Sequence, residues 1–307
     1  MELRQLRYVL AVAETRSFTR AAERCFVVQS ALSHQVQALE RELGVRLFAR
    51  TSRRVELTAA GAAFLPAARA SVEAAARAAA DAHAAAGRIS GTLTIGLIPT
   101  VTALDVPATL RSFLHRHPEV RISVRSGGSL EFTEAIGAGE VDVAVLGLHE
   151  SQPPRHVATT ELARGRHVAV LGRRHRLARR RRLDLAELAA EPFADFPARL
   201  PGRLQSDVAF EAAGLTREVR FEAMTASLML DLVRAGLAVA LLPKAVVPED
   251  PELVTVAVRG GPTRIEYLAW SPFNPSPATT ALLEVVHERL DARPRQGDGP
   301  GPSGSPA

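Results

Sequence analysis

One predicted helix, from Gln29 to Glu42, carries aliphatic side chains on one face and short polar side chains on the other. At 100° per residue, the aliphatic stripe consists of Leu32, Val36, Leu39 and Leu43. The nearly opposite face consists of Ser30, Ser33, His34 and Gln37. Side chains of these polar types hydrogen-bond base edges and phosphates at short range, whereas a face that only needs solubility usually carries Glu and Lys. We therefore expect this face, with Gln29 at the helix start, to contact DNA.

The segments around this helix predict a winged helix-turn-helix over residues 1–58. A shorter helix from Phe18 to Cys25 precedes it, and the small Ala21 and Ala22 in that helix allow a close crossing. Two helices joined by a few residues form a helix-turn-helix, whose second helix enters the major groove. Gly44 is a natural helix end.

The stretch after Gly44 reads as a β-ribbon rich in arginine. Guanidinium groups on such a wing neutralise phosphates or lie in a minor groove. We predict this role for Arg50, Arg53 and Arg54, which flank the bend at Thr51-Ser52.

These residues also resemble the signature of the LysR-type transcriptional regulators. The run is A-A-x-x-C-x-x-x-Q-S-A-L-S-x-Q-V-x-x-L-E-x-x-L-G-V-x-L-F-x-R, followed by Leu57-Thr58-x-x-Gly61. The family usually has Leu where Cys25 stands, Ser or Thr where Val28 stands, and often Arg where His34 stands. Val28 removes the expected side-chain cap, which is typically worth about 1 kcal/mol. His34 predicts altered or weaker base or phosphate contacts.

Length and composition favour several packed domains. The chain has 307 residues, 47% of them hydrophobic, and a net charge of +5. Residues 1–60 hold ten Arg against six Glu, so much of the basic excess lies on the predicted DNA reader. The single cysteine, Cys25, excludes an intramolecular disulfide and a cysteine-rich zinc site. With no signal-peptide pattern and no apolar run of about 18 residues, we expect a cytoplasmic protein.

Residues 59–88 are dominated by alanine and predict one helix of about 40 Å. Thr58 can cap its start and Gly87 can end it. One interpretation is an Ala-rich spacer between domains. The resemblance instead implies a dimerisation helix that sets the distance between two reading heads, with an inverted-repeat operator matching the two-fold axis of a homodimer or homotetramer.

From Gly91 onward, apolar strands alternate with helices, which predicts an α/β domain over 89–292 with a mostly parallel sheet. Strands are expected at 92–98, 121–127 and 141–148, and a final helix at 278–290. Crossings near 160 and 264 would divide the domain into lobe I, about 91–160 and 265–292, and lobe II, about 161–264. The Pro/Gly/Ser-rich tail, 293–307, is expected to be disordered.

This half is similar to the effector-binding part of the same family, which is periplasmic-binding-protein-like. Ligands in open α/β sheets lie beyond the carboxyl ends of strands, near helix N-termini. We predict a small and preferably anionic effector between the lobes, held by Thr100, Val101, Thr102, Ser129, Phe196, Arg203 and Thr225. Arg199 is an alternative source of charge, and each hydroxyl could instead be an ordinary helix cap.

The function predicted is therefore a sequence-specific transcriptional regulator that responds to a small effector, with double-stranded DNA as its main partner. An enzyme is the first alternative, but we find no P-loop, GxGxxG, GxSxG or HExxH motif, and we predict no catalytic residue, metal or cofactor. A cytoplasmic solute-binding protein is the second alternative. The basic run Arg173–Arg182 reads as a solvated loop of lobe II.

Overall fold

The structure, a computed structural model, describes residues 1–50, 55–198, 200–273 and 275–292. The side chain of Arg50 lies outside the described part of the chain, as do Arg53, Arg54, Arg199 and the tail at 293–307. The predictions made for these residues are therefore not examined by it.

The N-terminal part is a three-helix unit with a two-stranded ribbon. Its elements are α1 (Leu3–Thr15), α2 (Phe18–Arg24), α3 (Gln29–Leu43), β1 (Phe48–Arg50) and β2 (Val55–Leu57). The Ser17 side chain caps α2, and Gly44 ends α3 with a left-handed φ of 70°. Helix α3 begins at Gln29 without a side-chain cap from Val28, as its sequence predicts.

The core of this unit contains the aliphatic side of α3. Leu32, Val36 and Leu39 are fully buried, and Ala21 and Ala22 of α2 are buried beside them. Leu43 differs from the prediction because 37% of its surface is exposed. It is the last residue of the helix, directly before Gly44.

A long helix, α4 (Ala59–Ala85), starts directly behind the ribbon. The Thr58 side chain accepts a hydrogen bond from the Gly61 N–H at 3.0 Å and donates one to the Arg46 carbonyl at 2.7 Å. A Cβ at Gly61 would lie 2.1 Å from the Leu47 carbonyl oxygen. The Thr58-x-x-Gly61 motif therefore fixes the wing against the start of the linker helix.

The C-terminal half is built from ten strands and six α-helices within the described residues. Its first elements are β3 (Gly91–Leu97), α5 (Val106–Arg116), β4 (Val120–Ser126), α6 (Ser129–Gly137), β5 (Val143–Leu148) and β6 (Ala158–Gly172). The next are β7 (Arg182–Asp184), α7 (Leu185–Ala189), β8 (Pro192–Asp195), α8 (Pro201–Ala212) and β9 (Glu218–Glu222). The last are α9 (Ala226–Arg234), β10 (Ala240–Pro243), β11 (Leu253–Arg259), β12 (Thr263–Trp270) and α10 (Pro277–Asp291).

The main sheet runs in the order β4-β3-β5-β12-β6-β11-β7, with β10 also paired to β6. The pairs among β3, β4 and β5 are parallel, but β12 and β6 pair antiparallel with their neighbours. The prediction of a mostly parallel sheet is wrong for this reason. Two long antiparallel strands carry the chain between the lobes, so the sheet is mixed.

Two sets of apolar side chains define the lobes. Lobe I contains β3, β4 and β5, and α10 packs into its core through Leu282 and Val286. Lobe II contains β8, β9 and β10 with α8 and α9, and its cores include Phe193 and Met229. Strand β6 pairs with strands of both lobes, and β12 returns the chain to lobe I. The segment between β6 and β12 forms lobe II, which places the loops that follow β3 and β8 near each other.

Candidate functional site

The face of α3 opposite the core is open to solvent. Gln29, Ser30, His34 and Gln37 are exposed, and Ser33 is half-buried. Leu32 on the other side of the helix is completely buried. The helix thus presents hydroxyl, amide and imidazole groups outward on a rigid support, and these groups can donate to and accept from base edges.

Several contacts fix the position of α3 and of the wing. The Glu40 carboxylate accepts hydrogen bonds from the N–H groups of Leu47 and Phe48 at 2.8 and 3.1 Å. Phe48 packs edge-on against Phe18 with the ring centroids 5.9 Å apart. The start of the wing is therefore tied to both helices of the helix-turn-helix.

Two arginines, Arg41 and Arg46, extend the polar face. Arg46 belongs to the arginine-rich stretch after Gly44 that the sequence predicts to be the wing, whereas Arg41 lies outside the predicted set. Arg41 and Arg46 line an open groove together with His34 and Gln37. Arg41 stands four residues after Gln37, so helical spacing alone places it on the same side. That periodicity was the signal that would have identified it.

The second site is a cleft between the lobes. Of the predicted effector residues, Thr100, Ser129 and Phe196 line it. The further lining residues are Ile98, Pro99, Gly127, Gly128, Gly147, Leu200, Pro201, Gly202, Gln205 and Arg264. Lobe I contributes the loops after β3 and β4, and lobe II contributes the start of α8.

Four predicted effector residues lie outside the lining of this cleft. Val101 packs against the core of lobe I, and Thr102 hydrogen-bonds to Glu266. The Thr225 side chain caps α9. Arg203 forms ion pairs with two acidic groups of its own lobe, Asp207 at 3.0 Å and Glu222 at 3.5 Å. The structure therefore does not bring these four side chains to the cleft.

Arg264, which lines the cleft, is part of a buried ion pair. Arg264 and Glu266, both on β12, are 4% and 2% exposed and contact each other. The Arg264 guanidinium also donates to the Thr100 hydroxyl and the Thr100 carbonyl, each at 2.6 Å. Burial lowers the pKa of Arg264, and the charge of Glu266 opposes that shift. The guanidinium N–H groups of Arg264 that face Thr100 and Glu266 thus already have hydrogen-bond acceptors.

His167 lies beside this pair in a strongly desolvated position. Burial, aided by the positive charge of Arg264, lowers the pKa of His167 to about 3. Neither ring nitrogen has a hydrogen-bond partner among the described residues. The imidazole is therefore neutral at physiological pH and does not titrate there.

Gln205 connects the two lobes across the cleft. Its side-chain N–H donates to the Gly147 carbonyl at 2.9 Å, while the Gly147 N–H donates to the Ser129 hydroxyl at 3.0 Å. Gln205 is 2% exposed, and its Oε1 atom has no partner within the described part of the chain. The cavity between the lobes has a volume of about 30 Å³, which holds about two water molecules. An organic ligand would require the lobes to separate.

Two helix N-termini face this cleft from opposite sides. Ser129 is the first residue of α6 and Pro201 the first residue of α8. Free N–H groups and the helix dipole at such ends favour negative charge. Proline is favoured at the first position of a helix, so Pro201 is the sequence signal for the start of α8.

A winged helix-turn-helix joined through a long helix to a two-lobed α/β domain defines a class of ligand-responsive DNA-binding regulators. Comparison with known proteins agrees with this architecture. The family model described as "Bacterial regulatory helix-turn-helix protein, lysR family" matches residues 3–62, and the model described as "LysR substrate binding domain" matches residues 86–291. The chain therefore belongs to the LysR family of transcriptional regulators.

Similar proteins cover nearly the whole chain. The DNA-binding transcriptional dual regulator OxyR of Escherichia coli K12 is 30% identical over 95% of this chain and 96% of its own length. The regulator IlvR of Caulobacter vibrioides is 32% identical over 94% and 98%. The crystal structure of full-length CbnR complexed with its target DNA is 28% identical, covers 94% of this chain and 99% of that chain, and has a TM-score of 0.68.

The predicted family, fold class and regulatory function are thus confirmed. The chain is a DNA-binding transcriptional regulator with an effector-binding domain and is not an enzyme. The two family models assign a regulatory helix-turn-helix region and a substrate-binding region to this chain. Among the described helices, none is long and apolar enough to cross a bilayer.

Proposed function

We propose that the exposed face of α3 reads the bases of an operator while the wing contacts phosphates. The observation that carries this assignment is the contrast between the two sides of one helix, with Leu32 completely buried and His34 and Gln37 exposed. Base contacts come from Gln29, Ser30, Ser33, His34 and Gln37, and phosphate contacts from Arg50, Arg53 and Arg54. Because the chromosomal DNA of a bacterial cell is in the cytoplasm, we place the regulator there.

We further propose that the effector binds between the lobes and carries an anionic group. The helix dipoles at the N-termini of α6 and α8 supply a favourable potential for that group, and Thr100, Ser129 and Gln205 supply neutral hydrogen-bonding atoms. Arg264 is neutralised by Glu266, so it contributes little net charge. This arrangement favours a small organic acid with one carboxylate over a polyanion.

Opening of the cleft is the event that the effector would control. To enter, it must break the hydrogen bond between Gln205 and Gly147 and separate the lobes. The linker helix 59–88 joins the DNA-binding domain 1–58 to the effector-binding domain 89–292. A different arrangement of the lobes would therefore change the spacing of the two DNA-binding domains in an oligomer. A ligand drives this change only through different affinities for the two arrangements.

Genome-wide mapping of bound sites, followed by binding assays on the recovered operator, tests the proposal. The sequences should contain an inverted repeat, and neighbouring genes should point to a pathway of small acids. A panel of monocarboxylic acids and their uncharged amides is then added to the full-length protein. We expect at least one acid to raise the melting temperature and shift the footprint, while its amide does neither. Stabilisation by the amides alone would contradict the anionic assignment and leave the DNA-reading assignment standing.

A further inference from the structure

A turn on lobe II carries an unusual density of positive charge. Residues 173–182, which we call the arginine turn, connect β6 to β7 and contain seven arginines, all of them exposed. From its composition alone, this run is expected to be a solvated loop. Its conformation and its ion pairs show which of its arginines have an acidic partner, which the sequence pattern alone does not.

The arginine turn is held in place by the core of lobe II. The Arg173 N–H donates to the Glu252 carbonyl at 2.8 Å, and the Arg180 N–H donates to the Leu177 carbonyl at 3.1 Å. Leu177 is 5% exposed and packs among the buried side chains of the lobe. The guanidinium groups are therefore presented from a folded support.

The acidic groups next to the arginine turn are already engaged. Glu191 pairs with Arg176, Glu187 pairs with Arg180 at 2.7 Å, and Asp184 pairs with Arg259 of the neighbouring strand at 3.5 Å. Within the described part of the chain, five arginines of the turn have no ion pair, namely Arg173, Arg174, Arg179, Arg181 and Arg182. The Arg173 guanidinium donates a hydrogen bond to the Pro251 carbonyl at 3.2 Å, which leaves its charge without an acidic partner. The turn thus has about five positive charges that acidic groups of the described protein do not neutralise.

The chemistry of this surface favours a polyanion over a protein partner. The centre of a protein interface is typically apolar and depleted in charge, but Leu177 points inward and leaves no apolar anchor on the turn. Interfaces with DNA are polar and strongly positive, and the planar guanidinium group matches phosphate oxygens in two-point hydrogen bonds. When the DNA-binding domain of the same chain is bound to DNA, the local concentration of that duplex at the arginine turn is raised.

The geometry points to a second, sequence-independent DNA contact, in which the arginine turn of lobe II binds the sugar-phosphate backbone outside the segment read by the helix-turn-helix. Each phosphate neutralised releases counterions, so this contact adds to the salt dependence of DNA binding without adding base specificity. It links the effector-binding domain to DNA directly, in addition to the linker helix.

A charge-matched pair of full-length variants tests this contact. The first is R174Q/R179Q/R181Q/R182Q. The control is R111Q/R121Q/R155Q/R220Q, which removes four exposed arginines that lie outside the turn and the DNA reader and have no ion pair in the described structure. Binding to a mixed-sequence duplex of about 60 bp is measured by fluorescence anisotropy across a salt series. We expect the slope of log K against log salt to become shallower by about 2 to 4 in the turn variant and by less than about 1 in the control.

Equal slopes for the two variants would overturn the proposal. Equal slopes are also the result expected if the turn binds an acidic protein and not DNA. A cross-linking experiment locates the contact independently of affinity. In a Cys25→Ala background, which removes the single native thiol, a photoactivatable group is attached to Arg181→Cys or to the control Arg155→Cys. We expect DNA adducts from position 181 at bases outside the footprint of the reader and none from position 155. Absence of adducts from position 181 would contradict the contact.

Discussion

Gln205, in the first turns of α8 on lobe II, donates a 2.9 Å hydrogen bond to the carbonyl of Gly147 at the end of β5 on lobe I. The two residues are 58 positions apart in the chain. Their contact closes the cleft over a cavity of about 30 Å³. This hydrogen bond thus joins the two lobes at the cleft in which we propose that the effector binds.

Replacing Gln205 with alanine should favour the open arrangement of the lobes. The change removes one hydrogen bond, typically worth about 0.5–1.5 kcal/mol, but it also removes a buried Oε1 atom without a partner, so global stability should change little. We expect faster hydrogen exchange at the end of β5 and the start of α8, measured by mass spectrometry. Exchange in the exposed control Gln152→Ala should match the unmodified protein. Unchanged exchange in Gln205→Ala would show that this contact does not hold the cleft.

Breaking the buried pair of Arg264 and Glu266 should be costly. In Glu266→Ala the Arg264 guanidinium, 4% exposed, loses its counter-charge, and breaking such a pair typically costs about 3–5 kcal/mol. Denaturant unfolding should show this loss, whereas Glu161→Ala, which breaks an exposed pair with Arg164, should leave the midpoint nearly unchanged. Equal midpoints for the two variants would contradict the structural role assigned to Glu266.

The contact between the linker helix and lobe I should depend on pH through Glu73. Its carboxylate lies over Gly139, close enough that a Cβ there would be 2.0 Å from Oε2. Burial raises the pKa of Glu73 to about 7, helped by Asp142 and Glu140 and opposed by Arg69 and Arg77. Because this pKa is raised in the folded state, its contribution to stability is fully present below the ordinary carboxyl pKa and is lost as pH rises to about 7.

We expect the unfolding midpoint to decline between about pH 5 and pH 7 and to decline less in Glu73→Gln. The exposed Glu134→Gln serves as the control and should follow the unmodified protein. A Glu73→Gln profile that is superimposable on both others would rule out this carboxyl as the titrating group.

Two helical glycines provide a test of the junction between wing and linker. Gly61→Ala would place a Cβ 2.1 Å from the Leu47 carbonyl, whereas a Cβ at Gly137 meets nothing within 4 Å. We expect Gly61→Ala to destabilise the DNA-binding domain and weaken binding to every duplex. Gly137→Ala should be neutral or stabilising by up to about 1 kcal/mol. Thermal unfolding and a gel-shift titration measure both effects. Equal melting temperatures and equal DNA affinities of the two variants would contradict the steric role assigned to Gly61.

The sequence predicted best what depends on local pattern. Helical periodicity separated Leu32 from His34, and the alternation of strands and helices gave the α/β class. Periodicity also places Leu43 on the buried stripe, but it does not report which residues at the end of a helix other elements cover. The mixed sheet was missed because strand direction depends on which distant segment pairs with β6 and β12.

The cleft was the least predictable part for the same physical reason. Gln205 and Arg264 reach it from segments far apart in the chain, and only the packed lobes bring them together. Arg264 and Glu266 stand in a strand that reads as buried, where each charge is tolerated only because the other neutralises it. Thr102 and Thr225 satisfied the rule for helix starts, but their hydroxyls serve Glu266 and the α9 cap.

The assignment of α3 as the reading element is tested most directly by the operator affinity of Gln29→Ala. A gel-shift titration compares its binding to the mapped operator and to a mixed-sequence duplex, with Gln152→Ala as the control. We expect operator affinity to fall roughly tenfold, since one good amide–base contact is worth about 1–3 kcal/mol, while mixed-sequence affinity stays unchanged. An operator affinity equal to that of the control would contradict base reading by this face.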